Sequence, residues 1–239
     1  MHAYVWGVSE RREIETGLEG FRLWPGALCA DEQAALVDRV LAAAAEAPFY
    51  RPVTPGGKPM SVRMTNLGPL GWVTDRSGYR YQPIHPVTGR PWPPIPDALT
   101  RLWEDLLGGP GPDACLVNLY EAEARMGLHQ DRDEADLTAP VLSVSLGDAA
   151  LFRIGPAGGG PTRSFRLSSG DVCALTGPAR LARHGIDRIW AGSSRLIPGG
   201  GRLNRKPHRS RASVSSRLIP GGGRLNLTLR RAGSSSRAS

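Results

Sequence analysis

Cysteine is scarce in this chain of 239 residues: there are three, Cys29, Cys115 and Cys173, and no two stand in C-x-x-C spacing. Neither a disulfide framework nor a thiolate zinc site is therefore expected, and the three read as buried thiols in a reducing compartment. Long apolar runs are missing too. Nothing approaches the roughly 20 apolar residues of a membrane-spanning helix, and Met1-His2-Ala3-Tyr4 begins no charged-then-apolar export signal. The expectation is a cytoplasmic protein with no membrane partner. The third absence is of acidic residues after Trp190. Eleven of the 30 Lys and Arg lie from Ala191 onward with no Asp or Glu among them, leaving 19 basic against 22 acidic residues before that point. The formal net charge of +8 is thus a property of the C-terminal stretch, while the rest of the chain carries −3. A basic stretch of this kind either holds phosphates at low salt or is merely solvated.

What is present is enough for one good core, 40% of the residues being hydrophobic. Residues up to about Gly20 show charge without periodicity and are expected to wander. Phe21–Trp24 reads as a short strand. Asp31 is placed as the cap of a helix to about Ala47, whose Leu36, Val37, Val40, Leu41 and Ala44 share one face and pack on the outside of a sheet. A second helix is expected from Asp97 to about Leu107, with Trp103 in its apolar stripe. Strand-length apolar runs follow at 114–120, 141–146, 150–154, 164–167, 172–175 and 186–190, separated by turn residues. That pattern argues for an antiparallel sandwich or barrel. Between the helices, 49–96 is rich in Pro, Gly and aromatics. Met60–Asn66, Gly71–Val73 and Tyr79–Tyr81 look like strands or hairpin arms there, and Trp72, Tyr79 and Tyr81 either stack on an unpaired base or pin a loop-rich region to the body. Pro91-Trp92-Pro93-Pro94 reads as a rigid connector.

The stretch 128–134 most demands a chemical explanation. His129 and Asp131 are two apart, so on a strand both side chains leave one face. With a third ligand, for which His184 is a candidate, an imidazole–carboxylate–imidazole set occupies one face of an octahedral metal and leaves the other open, as in non-haem Fe(II) oxygenases. H-x-D alone is more often a surface turn than a metal site. A second constellation weighs against that: Asn118-Leu119-Tyr120 upstream, and Arg224, Asn226, Thr228 and Arg230 alternating with leucines near the C-terminus. Two guanidinium forks on one strand face suit a small dicarboxylate.

N-x-Y, H-x-D, a distant His and R-x-N-x-T-x-R together resemble the AlkB family of Fe(II)/2-oxoglutarate-dependent dealkylases, from about Met60 to Gly233. The resemblance implies a mostly β fold with flanking helices (α+β). Its core would be a double-stranded β-helix (jelly roll) with an N-terminal nucleotide-recognition lid. Residues 1–112 would form the extension, helices and lid, 113–233 the catalytic jelly roll, and 234–239 a disordered tail. It implies Fe(II) on His129, Asp131 and His184, and 2-oxoglutarate held by Asn118, Tyr120, Arg224, Asn226 and Arg230, with O2 as the second co-substrate. Trp72, Tyr79 and Tyr81 would face a methylated nucleotide. Asp133 would meet the exocyclic amine of a cationic lesion such as 1-methyladenine or 3-methylcytosine, or else is an exposed turn charge. Arg180 either supports the site or is an ordinary surface arginine. The implied reaction couples 2-oxoglutarate decarboxylation to methyl hydroxylation and formaldehyde release, on single-stranded or duplex DNA with RNA a second candidate, by a monomer acting in alkylation-damage repair. Two features depart from the family: Leu175 stands where a Trp often lies beside the metal, and 155–161 offers no secure basic residue to grip the lesion.

One further feature is peculiar to this chain. Residues 193–204 recur identically at 215–226, and only the second copy continues as Leu-Thr-Leu-Arg. The expectation is that the second copy forms the arginine strand and that about 195–216 bulges out as a basic insertion. The alternatives left open are an oxygenase acting on a protein or small molecule, and a binder of modified nucleic acid whose co-substrate site the duplication has impaired.

Overall fold

The computed structural model describes residues 11–121, 123–197 and 223–233. Twelve strands and two α-helices are found among them: β1 Phe21–Trp24, α1 Ala30–Glu46, β2 Arg63–Leu67, β3 Gly71–Asp75, β4 Gly78–Gln82, α2 Asp97–Leu106, β5 Ala114–Tyr120, β6 Met126–His129, β7 Val141–Gly147, β8 Ala149–Gly155, β9 Arg163–Leu167, β10 Val172–Leu175, β11 Arg183–Trp190 and β12 Arg224–Arg230. A six-stranded sheet in the order β1-β10-β7-β12-β5-β2 faces a four-stranded sheet in the order β6-β11-β8-β9, and β3 and β4 make a separate hairpin. This is the jelly-roll core, with every ladder antiparallel. The N-terminal stretch shares its main sheet, since β1 pairs with β10 and β2 with β5.

Period-2 alternation sorts the central strands into two layers. Val117 and Leu119 of β5, Leu142, Val144 and Leu146 of β7, and Leu225, Leu227 and Leu229 of β12 pack with Leu36, Val40, Leu102 and Trp103 of the two helices. The opposite faces of the same strands turn toward the second sheet, where Leu116, Tyr120, Phe152, Ile154 and Leu175 form an inner core. Because β12 lies between β5 and β7, the residues alternating with its leucines are forced into the space between the sheets. The arginine strand thus comes from the second copy of the repeat. Ser193, Ser194 and the buried Ile197 of the first copy dock beside it, the Ser193 hydroxyl accepting from the Ala149 amide and the Ser194 amide donating to Asp148. Residues 198–222, including Arg202, Asn204 and most of the expected insertion, lie outside the described residues, as do 1–10 and the 234–239 tail.

Three expectations need correction. Residues 11–20 do not wander: Ile14 bridges to Leu23 and Arg11 pairs with Asp105 at 2.7 Å. Helix α1 starts before Asp31, because the Glu32 carboxylate accepts the Cys29 amide at 2.7 Å and moves the cap to Cys29. Cys29 is in consequence exposed, whereas Cys115 and Cys173 are buried and their thiols are pushed up to about 12 by that burial. Among the described residues no helix is long and apolar enough to cross a membrane.

Candidate active site

β11 and β6 lie side by side with His184 and His129 as Cα partners. Gly185 permits this: a Cβ there would come within 2.5 Å of the Met126 carbonyl oxygen and 2.8 Å of that of Gly127. Each histidine is held the same way. Nδ1 of His129 lies 2.9 Å from the Gly127 carbonyl and Nδ1 of His184 lies 3.0 Å from that of Ala182. A carbonyl only accepts, so Nδ1 carries the proton and Nε2 presents its lone pair. Both Nε2 atoms point at Asp131, at 3.8 Å from Oδ1 for His129 and 3.8 Å from Oδ2 for His184. Asp131 lies just past the end of β6 rather than on it, yet still meets both rings. One donor atom from each residue falls within 4.8 Å of the other two, which suits a single metal ion.

The electrostatics prepare these donors. Burial pushes His184 down to about 4, ahead of the opposing pull of Asp131, so its ring is neutral near pH 7. Burial alone would raise Asp131, but Arg230, followed by His184 and His129, outweighs it and holds the carboxyl well below the usual range. Arg230 contacts Oδ2 at 2.8 and 3.2 Å, which leaves Oδ1 without a guanidinium.

Behind the donors lies a cavity of about 370 Å³ lined by Arg224, Asn226, Thr228 and Arg230 of β12 and by Asn118 and Tyr120 of β5. Arg224 is fully buried. Its terminal nitrogens reach Ser145 Oγ at 2.7 Å and the Asp148 carbonyl at 3.3 Å, but its Nε has no partner. Burial lowers its pKa, and no carboxylate among the described residues forms an ion pair with it. The Asn118 Oδ1 is likewise buried without a partner. An unpaired cation and an orphaned amide oxygen facing one cavity are costly unless a ligand completes them, and a dicarboxylate fits. The Asn226 amide, in contrast, is committed to Ser143 and Val144, and its oxygen accepts from Thr228.

At the cavity mouth stands the β3–β4 hairpin. Trp72 stacks on Tyr79 with ring centroids 5.6 Å apart, and its indole N–H donates to Asp133 at 2.7 Å. Tyr79 is 51% exposed, and Asp133 is exposed. Tyr81 does not reach the mouth; it turns inward and donates to Glu134 at 2.7 Å. Leu175 lines the cavity.

Two features exceed the sequence reading. Arg180 is 3% exposed, not a surface residue, and donates to the Asp131 carbonyl at 2.9 Å and to Glu134 at 3.0 Å. Glu134, absent from the expected site, is buried between Arg180 and Arg230. No local signal separates it from a turn charge; only its two arginine partners, far along the chain, do.

Comparison with known proteins agrees with this geometry. Residues 20–230 match the 2OG-Fe(II) oxygenase superfamily. An alpha-ketoglutarate-dependent dioxygenase AlkB homolog of Caulobacter vibrioides is 61% identical over 201 residues, covering 83% of this chain and 91% of that protein. The chain belongs to the AlkB family. It is an Fe(II)/2-oxoglutarate-dependent dioxygenase, using O2 as the oxidant. The AlkB of Escherichia coli is 46% identical over 155 residues, 62% of this chain and 72% of its own. The solved structure of OsALKBH1 superposes with a TM-score of 0.69 at 28% identity, covering 89% of this chain and 96% of that one. The family's metal is Fe(II), and the converging donors of His129, Asp131 and His184 could hold one metal ion.

Proposed function

We propose that this dioxygenase demethylates N-alkylated bases in nucleic acid, with 1-methyladenine and 3-methylcytosine in DNA as its first substrates and RNA as a further one. The observation that carries this reading is the aromatic hairpin over the cavity: an exposed Tyr79, the Trp72 ring and the Asp133 carboxylate all at one mouth. Aromatic faces suit an unstacked base, and a carboxylate suits the exocyclic amine of a cationic one. Among the described residues no comparable feature favours a protein or a small molecule as substrate. Repair of alkylation damage by a cytoplasmic monomer is part of the same reading.

His129, Asp131 and His184 would hold Fe(II), which supplies oxidation of the methyl group when 2-oxoglutarate and O2 are bound. The protein's share is placement. Arg224 would take the distal carboxylate of 2-oxoglutarate through its unpartnered side, with Asn118 and Tyr120 beside it and Arg230 near the metal end. The neutral Nε2 of His184 needs to lose no proton on ligation. Phe152 and Leu175 give the cavity an apolar wall that limits water near the reacting carbon. Asp133, released from Trp72, would accept from the amine and align the methyl group.

The test is single-turnover oxidation of a 3-methylcytosine oligonucleotide by protein loaded anaerobically with Fe(II) and 2-oxoglutarate. Formaldehyde and succinate in equal amounts are expected. Succinate without formaldehyde for every methylated base offered would overturn the substrate assignment, and neither product from protein that still binds metal would mean an impaired co-substrate site.

A further inference from the structure

Glu134 occupies an unusual position. Its Oε2 accepts from Arg180 at 3.0 Å, while Oε1 accepts from the Tyr81 hydroxyl at 2.7 Å and lies 3.2 Å from Arg230 Nε as its ion-pair partner. Arg180 in turn holds the backbone carbonyl of Asp131, and Arg230 holds its carboxylate. Two buried guanidiniums, Arg180 and Arg230, and two buried carboxylates, Asp131 and Glu134, thus balance in charge, and Glu134 is the carboxylate whose own oxygens pair with both arginines. The same group reaches the hairpin. Trp72 and Tyr81 are direct cross-strand partners, and they donate to the consecutive residues Asp133 and Glu134. The two bonds differ in kind. Asp133 is exposed and can exchange Trp72 for a ligand, whereas Glu134 is 7% exposed and its bond to Tyr81 is shielded from water.

We infer that Glu134 is a positioning residue: it sets the Arg230 guanidinium against the co-substrate end of the cavity and, through Tyr81, ties the base-facing hairpin to that setting. The inference rests on the dioxygenase reading for its first half and on the nucleic-acid reading for its second. With Glu134 in place, Arg230 cannot swing toward the hairpin, and the hairpin cannot lift at Tyr81 without leaving a buried carboxylate oxygen short of a donor. The other half of the latch, Trp72 on Asp133, is free to open for a base.

The test uses the full chain and two variants. Glu134→Gln keeps the shape and removes the charge; Tyr81→Phe removes one hydroxyl and leaves both arginine contacts. Calorimetric titration of 2-oxoglutarate into anaerobic Mn(II)-loaded protein needs no nucleic acid. There Glu134→Gln should weaken binding roughly tenfold, about the worth of one misaligned charge-assisted hydrogen bond, while Tyr81→Phe should stay within about twofold. Amide hydrogen exchange should then show faster exchange across 71–82 in Tyr81→Phe, with β5 and β12 unchanged. With a methylated oligonucleotide, Tyr81→Phe should give more succinate than formaldehyde, because the oxidant forms without the base held. Unchanged 2-oxoglutarate affinity in a folded Glu134→Gln protein overturns the positioning of Arg230. Unchanged exchange over 71–82 in Tyr81→Phe overturns the tie. A wild-type protein that binds 2-oxoglutarate but acts on no methylated base would fail the substrate assignment alone, leaving the calorimetric and exchange results to judge Glu134.

Discussion

At the scale of single residues, the candidate metal site is a matter of proton placement. Each imidazole spends its Nδ1 proton on a carbonyl two residues back, so both Nε2 lone pairs converge. For His184 that arrangement has a thermodynamic signature. Its ordinary value is 6.5 and the folded value is about 4, so the unfolded chain binds a proton over an interval in which the metal-free folded protein does not. The stabilisation is fully present above pH 6.5 and is lost as pH falls through 4; Asp131, held low, acts in the same sense further down. Denaturant melts of metal-free protein at stepped pH should therefore show stability declining below pH 6.5. His184→Asn should flatten that part of the profile, and equal slopes in the two proteins would refute the assignment. His129 and Asp131 could be named from their spacing together with the arginine strand and the resemblance these carry. Glu134 and Arg180 could not, because burial of a charged residue is decided by partners distant in sequence.

At the scale of elements, the contact between β6 and β11 sets how far apart the two histidines stand. Gly185 is its weak point: a methyl group there meets two backbone oxygens, at 2.5 and 2.8 Å, which cannot rotate aside. Gly185→Ala should push β11 off β6 and cost about 1–3 kcal/mol, a fall of several degrees in Tm for a chain of this size. Co(II) or Mn(II) titration should show a larger proportional loss of metal affinity than of stability. Retained metal affinity would mean that the strands can separate without parting the ligands. The hairpin β3–β4 shows the opposite case. Its aromatics were visible in sequence as a group, but Tyr79, stacked on Trp72, stays exposed at the mouth while Tyr81 on the same strand face meets the buried Glu134 carboxylate. Alternation within one short strand could not say which ring would face solvent.

At the scale of the whole molecule, the repeat is used in two parts. The first copy contributes Ser193, Ser194 and Ile197, and the second contributes Gly223 to Asn226, which open the strand that runs on to Arg230. Removing 198–219 would join Ile197 to Pro220 and restore one uninterrupted copy of the repeated text. The deletion protein should fold, bind 2-oxoglutarate as the full chain does, and gain about 2 kcal/mol, since the connection shortens through three doublings worth about 0.6 kcal/mol each. Loss of 2-oxoglutarate binding on deletion would show that the intervening text contributes to the co-substrate site.

The sequence by itself determined the chemistry and the layers. The chemistry follows from the family resemblance that the histidines, the aspartate and the arginine strand carry, and the layers follow from apolar runs of strand length, because period-2 alternation binds a residue's type to its face. It also carried both helices to within a residue or two of their ends. The tertiary structure alone decided which aromatic of the hairpin stays exposed and which charges are buried. Those outcomes depend on pairing between segments far apart in the chain. Arg224 meets Tyr120 and Gly147 across two ladders, and Glu134 meets Arg180 and Arg230. No local pattern encodes such contacts; they follow from the order in which strands enter the sheet.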